Sequence, residues 1–205
     1  MKKYFVTSLF ILISLRIIGQ ENYLTPCVDF GSTICEITFY QEGFNKAINR
    51  SFNEDYMLRF IAQPSFTPEY AVQVRKINDK YYEIETQIFR ENFWESNNRD
   101  SVQVDFFYKA LDQEVALHLD SLFNKATAEV HSRDASVSGL DGEQYFFFRQ
   151  SAGEVRCGST WSPNIFSPLG RLIIICNDLI QYSLGNTIDL IIMKEEIVKL
   201  CDEIE

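Results

Sequence analysis

Basic residues, histidines and long apolar runs are all scarce in this sequence, and each shortage removes a class of protein. The 205 residues hold 19 Lys and Arg against 29 Asp and Glu, which gives a formal net charge of −10. A surface of this sign repels phosphate backbones, so we expect no nucleic-acid partner. After the N-terminus no apolar run approaches the ~20 residues of a spanning helix, which excludes a polytopic membrane protein.

Signatures of catalysis and metal binding are equally sparse. Only two histidines occur and no Cys-x-x-Cys pair is present, so we expect no zinc site. The chain also lacks the nucleophile-elbow, His-Glu-x-x-His, Walker and dinucleotide-binding glycine motifs. We therefore assign no catalytic residue, no metal and no cofactor from the sequence.

The rest of the composition is typical of a globular protein. Apolar and aromatic residues make up 46% of the chain, and charged residues make up 23%. These fractions exclude collagen-like, low-complexity and fully disordered sequences. The length suits a single domain with a sizeable core.

The N-terminus has the layout of a secretory signal peptide. Two lysines precede an apolar run from Tyr4 to Leu15, Arg16 ends the run, and Gly19 offers a small residue for cleavage. The run is too short to cross a membrane comfortably, and no cysteine follows it as a lipoprotein signal requires. We predict that residues 1–19 are removed, which leaves a periplasmic or secreted chain without stable membrane insertion.

The five cysteines suggest disulfides, because export allows them to form. Their odd number leaves at least one thiol unpaired in a monomer. Cys27 and Cys35 lie in a turn-rich stretch, and we predict that they close a short loop. Cys176 and Cys201 follow apolar residues and are interpreted as small buried side chains, although two packed helices could also bring them together.

Two regions differ in how clearly they are patterned. We predict a loosely structured arm over residues 20–54, with one strand near Ile34–Tyr40. A single domain then covers residues 55–205. Within it, period-two alternation predicts an antiparallel hairpin from Tyr70 to Ile88, followed by a strand at Val102–Tyr108.

Helical spacing appears in the second half of the chain. Asp112 is placed to cap a helix whose apolar stripe runs from Val115 to Val130. Ser167-Pro168 predicts a second helix start. Apolar residues recur at helical spacing over residues 187–204, but residues 188–192 are also rich in residues that favour a strand.

The order of these elements predicts the fold class. Strands, a helix, an aromatic hairpin and further helices follow one another without regular βαβ alternation. We predict an α+β fold with an antiparallel sheet of about five to six strands and two to three helices packed on one face.

Three side chains invite a catalytic interpretation that we do not adopt. His118 lies beside an apolar stripe and is better explained as a partly packed boundary residue, and His131 is suited to the C-terminal dipole of the same helix. The segment around Cys157 is similar to the papain signature Cys-Gly-Ser-Cys-Trp. However, Thr160 replaces its nucleophilic cysteine, and no histidine follows residue 131.

A binding site is predicted where a strand leads into a helix. Arg156 supplies a positive charge, and the helix that begins near Ser167 supplies free N–H groups for an anion. Trp161, in the loop between them, either fills the edge of the core or presents a flat binding surface. Arg156, Trp161 and Ser167 are therefore the candidate ligand-binding residues.

A set of motifs between about residues 64 and 180 forms a recognisable pattern. The pattern consists of Pro64-Ser65-Phe66-Thr67-Pro68-Glu69-Tyr70, Leu140-Asp141-Gly142, Tyr145, Phe147, Gly153, Gly158, Thr160-Trp161-Ser162-Pro163, Ser167, Gly170 and Leu172. With these residues, the segment resembles a group of secreted proteins from Bacteroidetes-type bacteria to which no activity is assigned. The resemblance implies export, a bacterial source and one compact domain, but no particular chemistry.

Three functions remain open. Export and the lack of a catalytic set favour a non-catalytic domain that binds a protein or a small molecule. A hydrolase of unrecognised type, using acids or His118, is the main alternative. The third is an inhibitor or protective protein that blocks an enzyme with an exposed loop, either 92–101 or 132–142.

Overall fold

A seven-stranded antiparallel sheet organises the protein. The structure is a computed structural model that describes residues 23–27, 35–50, 52–131 and 142–204. The predicted signal peptide and most of loop 132–142 lie outside these residues. The strands are β1 (Thr25–Pro26), β2 (Leu58–Pro64), β3 (Tyr70–Lys76), β4 (Tyr82–Phe89), β5 (Val104–Leu111), β6 (Glu143–Ser151) and β7 (Glu154–Trp161), in the spatial order β1-β7-β6-β2-β3-β4-β5.

In the described residues, four α-helices accompany the sheet: α1 (Cys35–Asn49), α2 (Gln113–Ala128), α3 (Pro168–Ser183) and α4 (Leu190–Glu203). Side chains cap three of them. Asp112 accepts from the backbone N–H groups of the first turn of α2, Ser167 accepts from α3, and Asp189 accepts from α4. Residues 187–189 are not helical, so the last helix begins at Leu190.

One face of the sheet carries α2, α3 and α4. Phe60 of β2 and Phe147 of β6 are fully buried there, with ring centroids 5.2 Å apart. Phe123 of α2 packs edge-on against Phe147 at 5.9 Å. The main apolar core therefore lies between the sheet and these helices, which confirms the predicted α+β class and its antiparallel sheet.

The opposite face carries α1. Phe44 and Ile48 of this helix are buried against Ile61, Phe89 and Phe146 of the sheet, in a smaller second core. The strand expected near Ile34–Tyr40 is wrong, because residues 35–40 belong to α1. The aromatic and β-branched residues of this sequence favour a strand locally, but the contacts that Phe44 and Ile48 of the same helix make with the sheet override that preference.

Candidate functional site

A disulfide between Cys27 and Cys157 joins the N-terminal part of the described chain to β7 at one edge of the sheet. The Cα atoms are 5.6 Å apart and the residues are separated by 130 positions. The bond holds β1 beside β7, where Thr25 pairs with Ser159. Cys27 is therefore bonded to Cys157 and not to Cys35, and Cys157 is not a free thiol. Among the described residues, Cys176 and Cys201 are free.

The two histidines do not meet in a pocket. His118 is half-buried on α2, whereas His131 lies beyond the last residue of that helix. The helix ends at Ala128, three residues before His131, and the His131 ring packs edge-on against Tyr23 with centroids 4.5 Å apart. Within the described residues, no three His, Cys, Asp or Glu side chains converge as a metal site would require.

The predicted binding residues are not assembled into one site. Arg156 and Trp161 are both on β7, and five positions along a strand place them on opposite faces about 17 Å apart. Arg156 is exposed and lies 3.5 Å from the Asn124 amide oxygen of α2. The Ser167 hydroxyl accepts from the Gly170 N–H at 3.1 Å, and Pro168 has no N–H, so much of this helix start is already satisfied.

Trp161 lies where hydrogen bonds join three segments of the chain. A Cβ atom added to Gly142 would lie 2.7 Å from the indole Nε1, so the ring packs directly on this glycine. The Ser65 N–H donates to the Gly142 carbonyl at 3.0 Å, and the Glu143 N–H donates to the Ser162 hydroxyl at 2.7 Å. The turns after β2 and β7 are thereby tied to the start of β6.

The turn after β7 holds two apolar side chains outside the core. Asn164 organises it: its amide oxygen accepts from the Phe166 N–H at 2.9 Å, and its carbonyl accepts from the Ser167 N–H at 2.9 Å. A Cβ at Gly170 would overlap the Asn164 carbonyl, so only glycine allows the helix to approach this closely. Ile165 and Phe166 are exposed nonetheless, Phe166 to 84%.

A third exposed apolar side chain projects from the same end of the sheet. Phe66, in the turn after β2, is 70% exposed. Because β2 and β7 lie on either side of β6, the two turns are about 10 Å apart. We call Phe66, Ile165 and Phe166 the apolar tip. Sequence reasoning missed these residues, since apolar side chains in short turns give no signal that distinguishes exposure from burial.

The loop after β4 is also held firmly. The fully buried Glu69 carboxylate accepts the N–H of Phe93 at 2.7 Å and that of Trp94 at 3.2 Å. The Arg99 guanidinium donates to the carbonyls of these same two residues. Loop 92–101 is thus anchored by a carboxylate and a guanidinium, and it leaves the Trp94 side chain partly exposed.

Two surface clefts are present in the described part of the chain. A polar cleft of about 540 Å³ lies between α1 and loop 92–101, with Arg50 3.6 Å from Asp100 at its rim. A more apolar cleft of about 440 Å³ lies between α3 and α4 and includes Ile192 and Asp178. Partial burial raises the pKa of the Asp178 carboxyl. Neither cleft includes His118.

No helix in the described part of the chain is long and apolar enough to cross a membrane. Comparison of the sequence with models of protein families, with curated proteins and with solved structures finds no match. The site must therefore be interpreted from its own geometry.

Proposed function

We propose that this chain is an exported, non-catalytic domain that binds a protein partner through the apolar tip. The observation that carries the proposal is the Asn164 turn, which holds Phe166 outside the core by one side-chain and one backbone hydrogen bond of Asn164 and by a tight glycine contact. An exposed aromatic on an already ordered turn loses little conformational entropy when a partner covers it. An apolar pocket on a protein is the surface that this tip fits.

The charge of the chain supports a protein rather than a membrane as the partner. Stable attachment to a bilayer surface usually combines apolar insertion with basic residues that contact anionic lipids. Here the net charge is −10, and none of the tip residues is basic. The surface field therefore opposes anionic lipid and nucleic acid alike.

A pair of matched variants tests the proposal. We would replace Phe66 and Phe166 by serine, and in a control replace Ile191, which is 68% exposed on α4. A photo-cross-linking residue in place of Ile165 would identify proteins of the native envelope fraction that contact the tip. We expect one cross-linked partner that the tip variant loses and the Ile191→Ser variant keeps. The same retention by both variants would refute binding through the tip.

The inhibitor hypothesis is a second candidate because loop 92–101 is rigidly anchored by Glu69. Inhibitory loops gain affinity from being ordered before binding. If the partner is an enzyme, its activity should fall on addition of this chain, and Trp94→Ala should restore it while leaving the fold intact. Inhibition that is lost in the tip variant but not in Trp94→Ala would exclude this loop.

A further inference from the structure

The strand β5 forms an edge of the sheet that no described residue pairs with. It comes last in the strand order and contributes eight residues, Val104–Leu111. Long edge strands expose backbone N–H and C=O groups and can therefore pair with another chain. The hydrogen-bond pattern of β5 shows which of its groups are available.

The alternation of hydrogen-bonded pairs between β4 and β5 determines which backbone groups of β5 face away from the sheet. The Arg90 N–H donates to the Gln103 carbonyl at 2.9 Å, so these two residues form a hydrogen-bonded pair. Such pairs alternate along an antiparallel ladder. The odd-numbered residues of β5 therefore bond to β4, and the even-numbered ones point their backbone groups outward. The outward Ala110 carbonyl lies 3.4 Å from the Tyr182 hydroxyl. The outward backbone N–H and C=O groups of Phe106 and Tyr108 have no hydrogen-bond partner among the described residues.

The side chains along this edge are self-complementary. Phe106 and Tyr108 project on the α1 face and are exposed, Tyr108 to 57%. Asp105 and Lys109 project on the opposite face. These four residues are arranged symmetrically about Phe107. An antiparallel copy centred on this residue would therefore place Phe106 beside the partner's Tyr108, and Asp105 beside the partner's Lys109.

We propose that β5 pairs antiparallel with β5 of a second copy of this chain, with a two-fold axis through Phe107. Phe106 then forms hydrogen-bonded pairs with the partner's Tyr108, using only outward-facing backbone groups. Asp105 faces the partner's Lys109 as a close non-hydrogen-bonded pair. A symmetric interface of this kind closes after two copies.

The charges already present on this edge are compatible with the pairing. The Arg90 guanidinium is 2.6 Å from the Asp105 carboxylate, and the Lys109 ammonium donates one hydrogen bond to the Tyr182 carbonyl at 2.9 Å. An ammonium group has three donors, so Lys109 retains two for a carboxylate. The dimer would place no like charges opposite each other along β5.

Charge reversal gives a test with an internal rescue. Sedimentation velocity over a concentration series would measure the dimer dissociation constant of the wild type, of Asp105→Lys and of Lys109→Asp. Each variant places like charges opposite each other twice, so we expect its Kd to rise about tenfold or more. An equimolar mixture should restore dimers, because the lysines of one variant then face the acids of the other.

A backbone variant completes the test. Phe106→Pro removes an outward N–H without removing a bond to β4, so it should yield a monomer with an unchanged far-ultraviolet spectrum. Phe106→Ala keeps the N–H and should retain measurable dimer. A monomeric wild type, an unchanged Kd in both charge variants, or no rescue in their mixture would each overturn the proposed pairing. Dimers lost only in the Phe66 and Phe166 tip variant would overturn it too.

Discussion

The two faces of the sheet are stabilised by different chemistry. On the face covered by α2, α3 and α4, which we call the helical face, fully buried apolar side chains such as Phe60 and Phe147 pack against each other. On the α1 face, a row of polar side chains crosses the three neighbouring strands β2, β3 and β4. The row consists of Arg59, Gln73 and Glu85, all buried.

The polar row is almost fully hydrogen-bonded. The Arg59 Nε donates to the Gln73 side-chain oxygen at 3.0 Å, and the Gln73 amide donates to the Glu85 carboxylate. Arg75 closes the row with an ion pair to Glu85 at 2.5 Å. The remaining Arg59 donors reach the Asn49 side chain and the Asn53 carbonyl, both at 3.2 Å. Burial lowers the pKa of Arg59, but its partners keep the charge compensated.

The difference shows that burial and register are specified by different groups. Apolar contacts on the helical face reward burial and tolerate small shifts of a side chain. The polar row tolerates none, because sliding β3 by one residue would turn Gln73 and Arg75 to the other face. Glu85 would then lose both of its partners, and the Arg59 Nε would lose its acceptor. We interpret the row as the element that fixes the alignment of β2, β3 and β4.

The strongest test of this difference compares neighbouring residues of β6. Phe147→Ala should reduce the free energy of unfolding by about 3–5 kcal/mol, because its ring is fully buried between Phe60 and Phe123. Phe146→Ala, on the α1 face, should cost less, about 3 kcal/mol, since this ring keeps 8% of its surface exposed and belongs to the smaller core. Urea unfolding under oxidising conditions measures both. Equal losses would show that the two cores contribute alike.

The disulfide gives the second test, because both of its cysteines lie at the edge of the α1 face. Replacing Cys27 and Cys157 by serine should lower stability by about 2–4 kcal/mol, mainly by freeing the unfolded chain from a 130-residue crosslink. Thermal unfolding with and without a reductant checks this. The reductant should lower the melting temperature of the wild type and leave that of the double variant unchanged. A reductant effect in the double variant would point to another bond.

The third test addresses the polar row itself. Glu85→Gln should cost about 2 kcal/mol, because Arg75 and Arg59 would lose a buried countercharge. Glu83→Gln is the matched control, since Glu83 lies two positions earlier on the same face of β4 but is only half-buried. It should change stability by less than about 0.5 kcal/mol. Urea denaturation compares them, and equal effects would remove the distinction drawn for the row.

The helical face was largely predictable because its signals are local. The stripe that begins at Val115 predicts α2, and the Asp112 cap predicts where α2 starts. Ser167 and Pro168 predict the start of α3 equally well. The hairpin of β3 and β4 follows from period-two alternation and a short polar turn. In each case the residues that decide the structure are within one turn or one strand of each other.

The α1 face could not be predicted in the same way, because its contacts join distant parts of the chain. The Cys27 partner is 130 positions away, and β1 is too short to produce a pattern. The row of Arg59, Gln73 and Glu85 exists only once the strand register is known. The exposure of Phe66 and Phe166 at the apolar tip is likewise a result of tertiary structure.

The smallest effect concerns one partly buried acid on the helical side of the sheet. Asp178 of α3 lines the cleft beside Ile174 and Ile192, and partial burial raises the pKa of its carboxyl. The folded chain therefore holds this proton more tightly than the unfolded chain does. Its contribution to stability is present below about pH 4 and is lost as the pH rises through the raised pKa.

Asp178→Asn should accordingly stabilise the protein at pH 7, by at most about 0.5 kcal/mol, because the group is only partly buried. At pH 3 it should have no effect. Melting temperatures measured across this range would show the two curves separating above pH 4, whereas the exposed control Asp202→Asn should follow the wild type. Parallel curves for Asp178→Asn would mean that solvent in the cleft already compensates this carboxylate, so that burial on the helical face would not disfavour this charge as burial on the α1 face disfavours that of Arg59.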